Sequence, residues 1–217
     1  ILPRFFFFFP PTGPPPPPLL PPPPPSSTES PRVIFCAEWT WDAFDHDKSA
    51  LQQCAVDMLL YGGLADEFDI PMQKLATFIS ALSHLYRDNP YHNWFHAVSV
   101  MQNSFLACET YEVCKAVMRP VDKLATLLGS LCHDVDHPGL NNTFWINSEA
   151  PLALRYNDRS VLENHHAAVM FQLLNREPAT AILENVEGGV AKVFRSRAVK
   201  AILNTDMTHH MTMVNFM

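Results

Sequence analysis

The sequence predicts an all-α body behind a proline-rich tail, and three observations carry that prediction. Proline is concentrated at one end, with 14 of the 20 prolines in the first 31 of 217 residues. From about Cys36 onward, apolar residues recur at spacings of three and four with few strict alternations, which is the period of packed helices. The apolar runs are bounded by helix stop and start signals: Gly62-Gly63, Pro71, Pro120, Pro178 and Gly188-Gly189.

Taken in order, residues 1–31 form the tail and residues 32–217 the body. Pro10 to Pro25 reads PPTGPPPPPLLPPPPP, which cannot close a core and favours an extended polyproline II linker. The functional alternative is a docking site for an SH3 or WW type module. Lys48 to Tyr61 reads as the first helix, stopped by Gly62-Gly63. A second opens at Asp69-Ile70-Pro71 and runs to about Arg87. His92 to Tyr111 reads as a third, and Pro120 opens a fourth that ends near His133. Ser160-Val161-Leu162-Glu163 has the S-x-x-E form of a capping box, and the helix it starts keeps Leu162, Val169, Leu173 and Leu174 on an apolar face until Pro178. Gly188-Gly189 sets off a last helix, Val190 to Met211.

The formal charge of −7 resides wholly in the body, which disfavours a generic binder of nucleic acid or anionic membranes. A phosphate substrate remains compatible, because a bound divalent ion reverses the local field. Five cysteines without a CxxC pair argue for a reducing compartment, hence an intracellular, cytoplasmic protein. The run Phe5 to Phe9 falls far short of the roughly 20 apolar residues that span a bilayer. Beginning on Ile1, the sequence is expected to start partway through a longer chain.

Ten histidines are many for this length, and four of them form two H-x-x-x-H pairs. On a helix, His92 and His96 would lie one turn apart on one face. In His133-Asp134-Val135-Asp136-His137, two imidazoles and two carboxylates fall within five residues, with Pro138-Gly139 ending the helix. Such nitrogen and oxygen donors suit zinc together with a harder ion such as magnesium or manganese. Two metals sharing a carboxylate would activate water and clamp the oxygens of a phosphate ester.

Four motifs then occur in order: Tyr91-His92-Asn93-x-x-His96-Ala97, His133-Asp134-Val135-Asp136-His137-Pro138-Gly139, Tyr156 to His166 (YNDRSVLENHH) and Thr205-Asp206-Met207. Together they resemble the class I 3′,5′-cyclic nucleotide phosphodiesterases over about residues 36–217. The resemblance implies the compact multi-helix catalytic domain of that family, an HD-type metal phosphohydrolase, hydrolysing cAMP or cGMP to the 5′ monophosphate. It makes His92 the general acid for the departing 3′ oxygen, hydrogen-bonded to Glu163, which raises its protonated fraction. It assigns His96, His133 and Asp134 to zinc, with Asp134 also reaching a second ion, magnesium or manganese. His137, Glu163 and Thr205 would hold that ion's waters or a bridging hydroxide, and Tyr91 would line the nucleotide pocket. His165 reads as a packing or supporting residue, and His46, His84, His209 and His210 as surface residues.

The family's later part supplies a further Asp ligand, a purine-binding Gln and an aromatic clamp, none of which can be located before Met217. The expectation is therefore a fragment lacking C-terminal helices. A rival reading is another HD-type metal phosphohydrolase, which the Tyr-His-Asn and Leu-Glu-Asn-His-His motifs oppose. A rival from a different class is a non-catalytic interaction protein carrying a truncated domain on a polyproline stalk.

Overall fold

The computed structural model describes residues 36–209, among which there are nine α-helices and no strand. The helices are α1 (Lys48–Leu60), α2 (Met72–Leu85), α3 (Trp94–Thr110), α4 (Glu112–Val117), α5 (Pro120–Cys132), α6 (Asn142–Asn147), α7 (Pro151–Arg155), α8 (Val161–Arg176) and α9 (Gly188–Leu203). The proline-rich segment and His210 lie outside the described residues. No described helix is long and apolar enough to cross a membrane.

Local chemistry accounts for most boundaries. Asp47 caps α1 by accepting a hydrogen bond from Ala50 N at 2.8 Å, and Asn141 caps α6 in the same way through Phe144 N. Pro120 begins α5, where its missing N–H costs nothing, and Asp122 accepts from Arg119 N across the first turn. Two short helices, α4 and α6, and the single turn of α7 carry no strong apolar period and are additions to the sequence reading.

Four expectations are corrected. Helix α3 begins at Trp94, with Asn93 as its cap, so His92 precedes the helix instead of sharing a face with His96. Helix α5 ends at Cys132, near His133 as expected, and His133 to Asp136 form a turn, so Pro138-Gly139 do not end the helix. Ser160 makes no capping box: it sits in the left-handed region at φ 40°, and its hydroxyl donates to Asp206 Oδ2 at 2.6 Å. Its place at the start of α8 is taken by Asn142, whose Oδ1 accepts from Leu162 N at 2.9 Å. Finally, Gly188 and Gly189 form the first turn of α9, which ends at Leu203.

The core runs along α5, which packs against α3 on one side and α9 on the other, with α8 closing over α9 and α1 and α2 layered beyond α3. Leu124, Leu128 and Leu131 of α5 meet a core that includes Met101 of α3 and Phe194, Ala198 and Ile202 of α9, all at most 1% exposed. Each fully buried side chain of this size contributes about 1.5–3 kcal/mol of transfer free energy. Gly129 sets the approach of α5 and α9, since a Cβ there would stand 3.4 Å from Ala201 Cβ and 3.8 Å from Ala198 O. This packing fixes the C-terminal end of α5, from which the metal-type residues project.

Candidate metal centre

Three segments converge at that end of α5. They are the loop before α3 (Tyr91, His92) with its first turn (His96), the turn after α5 (His133 to His137), and the first turns of α8 (Glu163, His166). One side chain ties the first two together. Asn89 Nδ2 donates to His92 O at 3.0 Å and to His137 O at 2.7 Å. Its carbonyl accepts from Asn93 Nδ2, so the α3 cap joins the same network. Gly139, at φ 87°, passes so close that a Cβ would lie 3.1 Å from Asn89 Oδ1; both the backbone angle and the space exclude larger residues there.

The tightest donor cluster is His96, His133 and Asp134. His96 Nε2 lies 3.2 Å from His133 Nε2 and 3.3 Å from Asp134 Oδ2, and His133 Nε2 lies 3.1 Å from the same oxygen. His133 Nδ1 faces Ser130 O at 2.7 Å, which puts its proton on Nδ1 and leaves Nε2 with a lone pair for a ligand. Burial opposes ionisation of Asp134, yet His133 and then His96 hold its carboxyl well below the ordinary carboxylate range. Two imidazole nitrogens and a carboxylate oxygen at these separations fit a divalent ion of the zinc type.

A second group shares Asp134 with His92 and His137. The two rings stack, with centroids 3.9 Å apart and planes at 15°. Gly139 N donates to His137 Nδ1, leaving Nε2 toward the centre. Burial, then the neighbouring His92, pushes His137 down to about 4. Burial also lowers His92, with Asp134 pulling the other way. The bond expected between His92 and Glu163 does not form: Glu163 Oε2 accepts instead from Asn142 Nδ2 at 2.9 Å. Burial raises the Glu163 pKa despite that bond, so the raised proton affinity falls on the carboxyl and not on the imidazole.

Tyr91 is 54% exposed and its ring lies 4.5 Å from that of His96, on the open side of the centre. Thr205 Oγ1 donates to Ile202 O, ending α9, and next to it Asp206 receives Ser160 on one oxygen and Thr208 N on the other. Both Asp206 oxygens are thereby engaged.

Sequence reading missed His166. Its ring is 1% exposed, Nδ1 donates to Val135 O at 2.7 Å, and Nε2 lies 3.7 Å from Asp134 Oδ1. The available signal was its place three residues after Glu163, on one helix face. Burial pushes it down to about 3. Its neighbour His165 supports the loop, with Nε2 2.8 Å from Asp136 Oδ2 while Arg87 holds Oδ1 from the other side. Those bonds keep Asp136 at φ 58°, a left-handed angle that lets the turn double back. Of the remaining histidines, His84 and His209 are exposed and His46 stacks on Trp41, half-buried.

The profile of the 3′5′-cyclic nucleotide phosphodiesterases matches residues 91–217, which begin at Tyr91 and contain His92, His96, His133, Asp134 and His137 of the two donor groups. The chain belongs to the cyclic nucleotide phosphodiesterase family. Among its relatives in that family, the 3′,5′-cyclic-nucleotide phosphodiesterase regA of Dictyostelium discoideum is 39% identical over 178 residues, 82% of this chain and 22% of the relative. A cGMP-specific phosphodiesterase of the same organism is 33% identical over 79% of this chain and 37% of its own length. A Drosophila melanogaster 3′,5′-cyclic-AMP phosphodiesterase, isoform F, is 40% identical over 67% of this chain and 22% of its own. The chain thus spans less than half the length of these curated relatives. The phosphodiesterase domain of a RhoPDE fusion protein from Salpingoeca rosetta superposes with a TM-score of 0.79 at 36% identity, covering 82% of this chain and 55% of that one. The all-α catalytic-domain fold of the phosphodiesterases is therefore that of the described residues.

Proposed function

We propose that this chain carries the metal-binding part of an enzyme that hydrolyses the 3′,5′-cyclic phosphodiester of cAMP or cGMP to the 5′ monophosphate. The observation that supports it most is the approach of His96 Nε2, His133 Nε2 and Asp134 Oδ2 to within 3.3 Å of one another, beside the stacked His92 and His137. The relatives' names include both a cAMP and a cGMP enzyme, so both nucleotides stand as substrates.

In this reading His96, His133 and Asp134 would hold zinc, Asp134 would also serve a magnesium or manganese ion, and His137, Glu163 and Thr205 would orient water there. When bound, such ions supply Lewis acidity toward the phosphate and a nucleophilic water at neutral pH. His92 delivers the proton to the 3′ oxygen. Its burial keeps it neutral in the free protein, and a bound phosphate raises its pKa by adding a nearby negative charge. Glu163 turns from Asn142 toward the charged imidazole and steadies it. Tyr91, exposed beside His96, forms one wall of the nucleotide pocket. The five free cysteines support an intracellular setting, and the proline-rich segment 1–31 serves as a spacer, with SH3 or WW docking as its alternative.

The test is to incubate the protein with cAMP and with cGMP in zinc and magnesium, and to identify the product by chromatography. The 5′ monophosphate, formed only with metal present and lost in His96→Ala, is the expected result. A 3′ monophosphate product, or hydrolysis indifferent to chelators, would overturn the assignment.

A further inference from the structure

Beside the metal loop lies a cleft of about 350 Å³, lined by Arg87 beyond the end of α2, by Asp136 and Pro138 of that loop, and by residues at α6, α7 and α8. Its volume is at the lower end of the roughly 300–1,000 Å³ of small-molecule sites. Three of its walls are apolar: Trp145, Pro138 and the Pro151-Leu152 step. Trp145 is fixed in place because its Nε1 donates to Leu140 O at 3.1 Å.

The charges in this cleft do not balance. Asp136 is matched by Arg87 at 2.6 Å and by His165 at 2.8 Å. Arg155, which also lines the cleft, makes no hydrogen bond or ion pair with any described residue. A net positive cleft stands out on a chain of charge −7. A second cleft, lined by Tyr61, Phe105 and Met118, differs in this respect: its Lys123 is bonded to Glu109 and its Lys115 to Glu112. One cleft has its cations neutralised, and the other keeps a guanidinium with five unused donors beside an indole wall.

We propose that the Arg155–Trp145 cleft is a second binding site, distinct from the metal centre, for a small aromatic anion. A carboxylate or phosphate monoester would bond the Arg155 fork and its flat ring would pack on Trp145. Arg87 shares the lining, so the anion end also meets a cation already bonded to the metal loop at Asp136.

The probes are phenyl phosphate and benzoate, with benzyl alcohol as the uncharged control. They are titrated into the full chain in the presence of a chelator, which keeps the metal centre from drawing the anion. Binding is read by calorimetry and by the indole N–H resonance of Trp145, assigned through Trp145→Phe. The expected dissociation constants are on the order of 1 mM for both anions. Arg155→Ala should weaken them about tenfold, as the loss of one charge-assisted contact does. His96→Ala should leave them unchanged, which separates this site from the metal centre and this inference from the hydrolase reading. Should Arg155→Ala misfold, the wild type still decides: raising salt must weaken the anions and leave benzyl alcohol unaffected. No saturable binding at about ten times that concentration, binding insensitive to both Arg155→Ala and salt, or binding abolished by His96→Ala overturns the proposal.

Discussion

The two histidine groups that share Asp134 are built differently. His133 is buried and oriented by Ser130 O, and its partner His96 sits in the first turn of a capped helix. His92 lies in the loop before that helix, and its ring is placed by stacking on His137, with no described residue hydrogen-bonded to its nitrogens. Geometry enforced through second-sphere bonds suits a ligand, which must meet an ion at a set distance. A ring set by stacking and free at both nitrogens suits a group that must gain and lose a proton. On the proposed roles, the contrast teaches that holding an ion and moving a proton are divided by the way each imidazole is anchored.

The strongest way to break that contrast is His133→Ala. Loss of second-sphere partners alone costs about 10–100-fold in metal affinity, so loss of this ligand should exceed about 100-fold, read by zinc titration. His92→Ala should slow hydrolysis about 10²- to 10⁴-fold while leaving bound metal, measured by elemental analysis, unchanged. Were metal lost as well, His92 would belong with the ligands and the division would collapse.

Protonation offers a gentler probe. Burial pushes His166 down to about 3 in the folded protein, below the ordinary imidazole value of 6.5, and His137 down to about 4. The unfolded chain therefore binds protons first, and stability present above pH 6.5 declines as pH falls toward those folded values. For His166, between pH 6.5 and pH 5, the loss is about 2 kcal/mol, measurable by urea unfolding of metal-stripped protein. His133, which despite its burial is raised by Asp134, works in the opposite sense, so the readout is the difference from His166→Ala: equal profiles would mean that the buried ring accepts a proton without cost. Asn142→Ala removes both the α8 cap and the bond to Glu163, and should cost about 1–2 kcal/mol in the same assay. Smallest of all is Arg87→Ala. Its ion pair to Asp136 is half exposed, so less than about 1 kcal/mol is expected despite its place behind the metal loop.

Much of this was legible in the residues. The end of α1 and the start of α5 were marked by Gly62-Gly63 and Pro120, whose effects are local and act within one turn. The donor set was legible because ligand chemistry demands particular side chains whatever the backbone does. What escaped depends on contacts made across the chain. The Ser160 hydroxyl had a partner 46 residues away that outcompeted its own helix, and Asn142 supplied the cap from a different segment. His92 and His96 were assigned to one helix because the spacing fits, yet Asn93 is a better cap than an interior residue and starts the helix between them. His166 looked like the twin of His165, and only the fold separates the ring on Asp136 from the ring beside Asp134.

His96 and His133 stand 37 residues apart, and the loops bearing His92 and His137 are joined by a single amide, that of Asn89. An unfolded chain does not hold that donor set together, so an ion bound there would favour the native state. Free zinc at 100 times its dissociation constant would then stabilise the protein by about 2.7 kcal/mol. The melting temperature becomes a meter for the ion: it should climb with the logarithm of zinc concentration in the native sequence and stay level in His133→Ala.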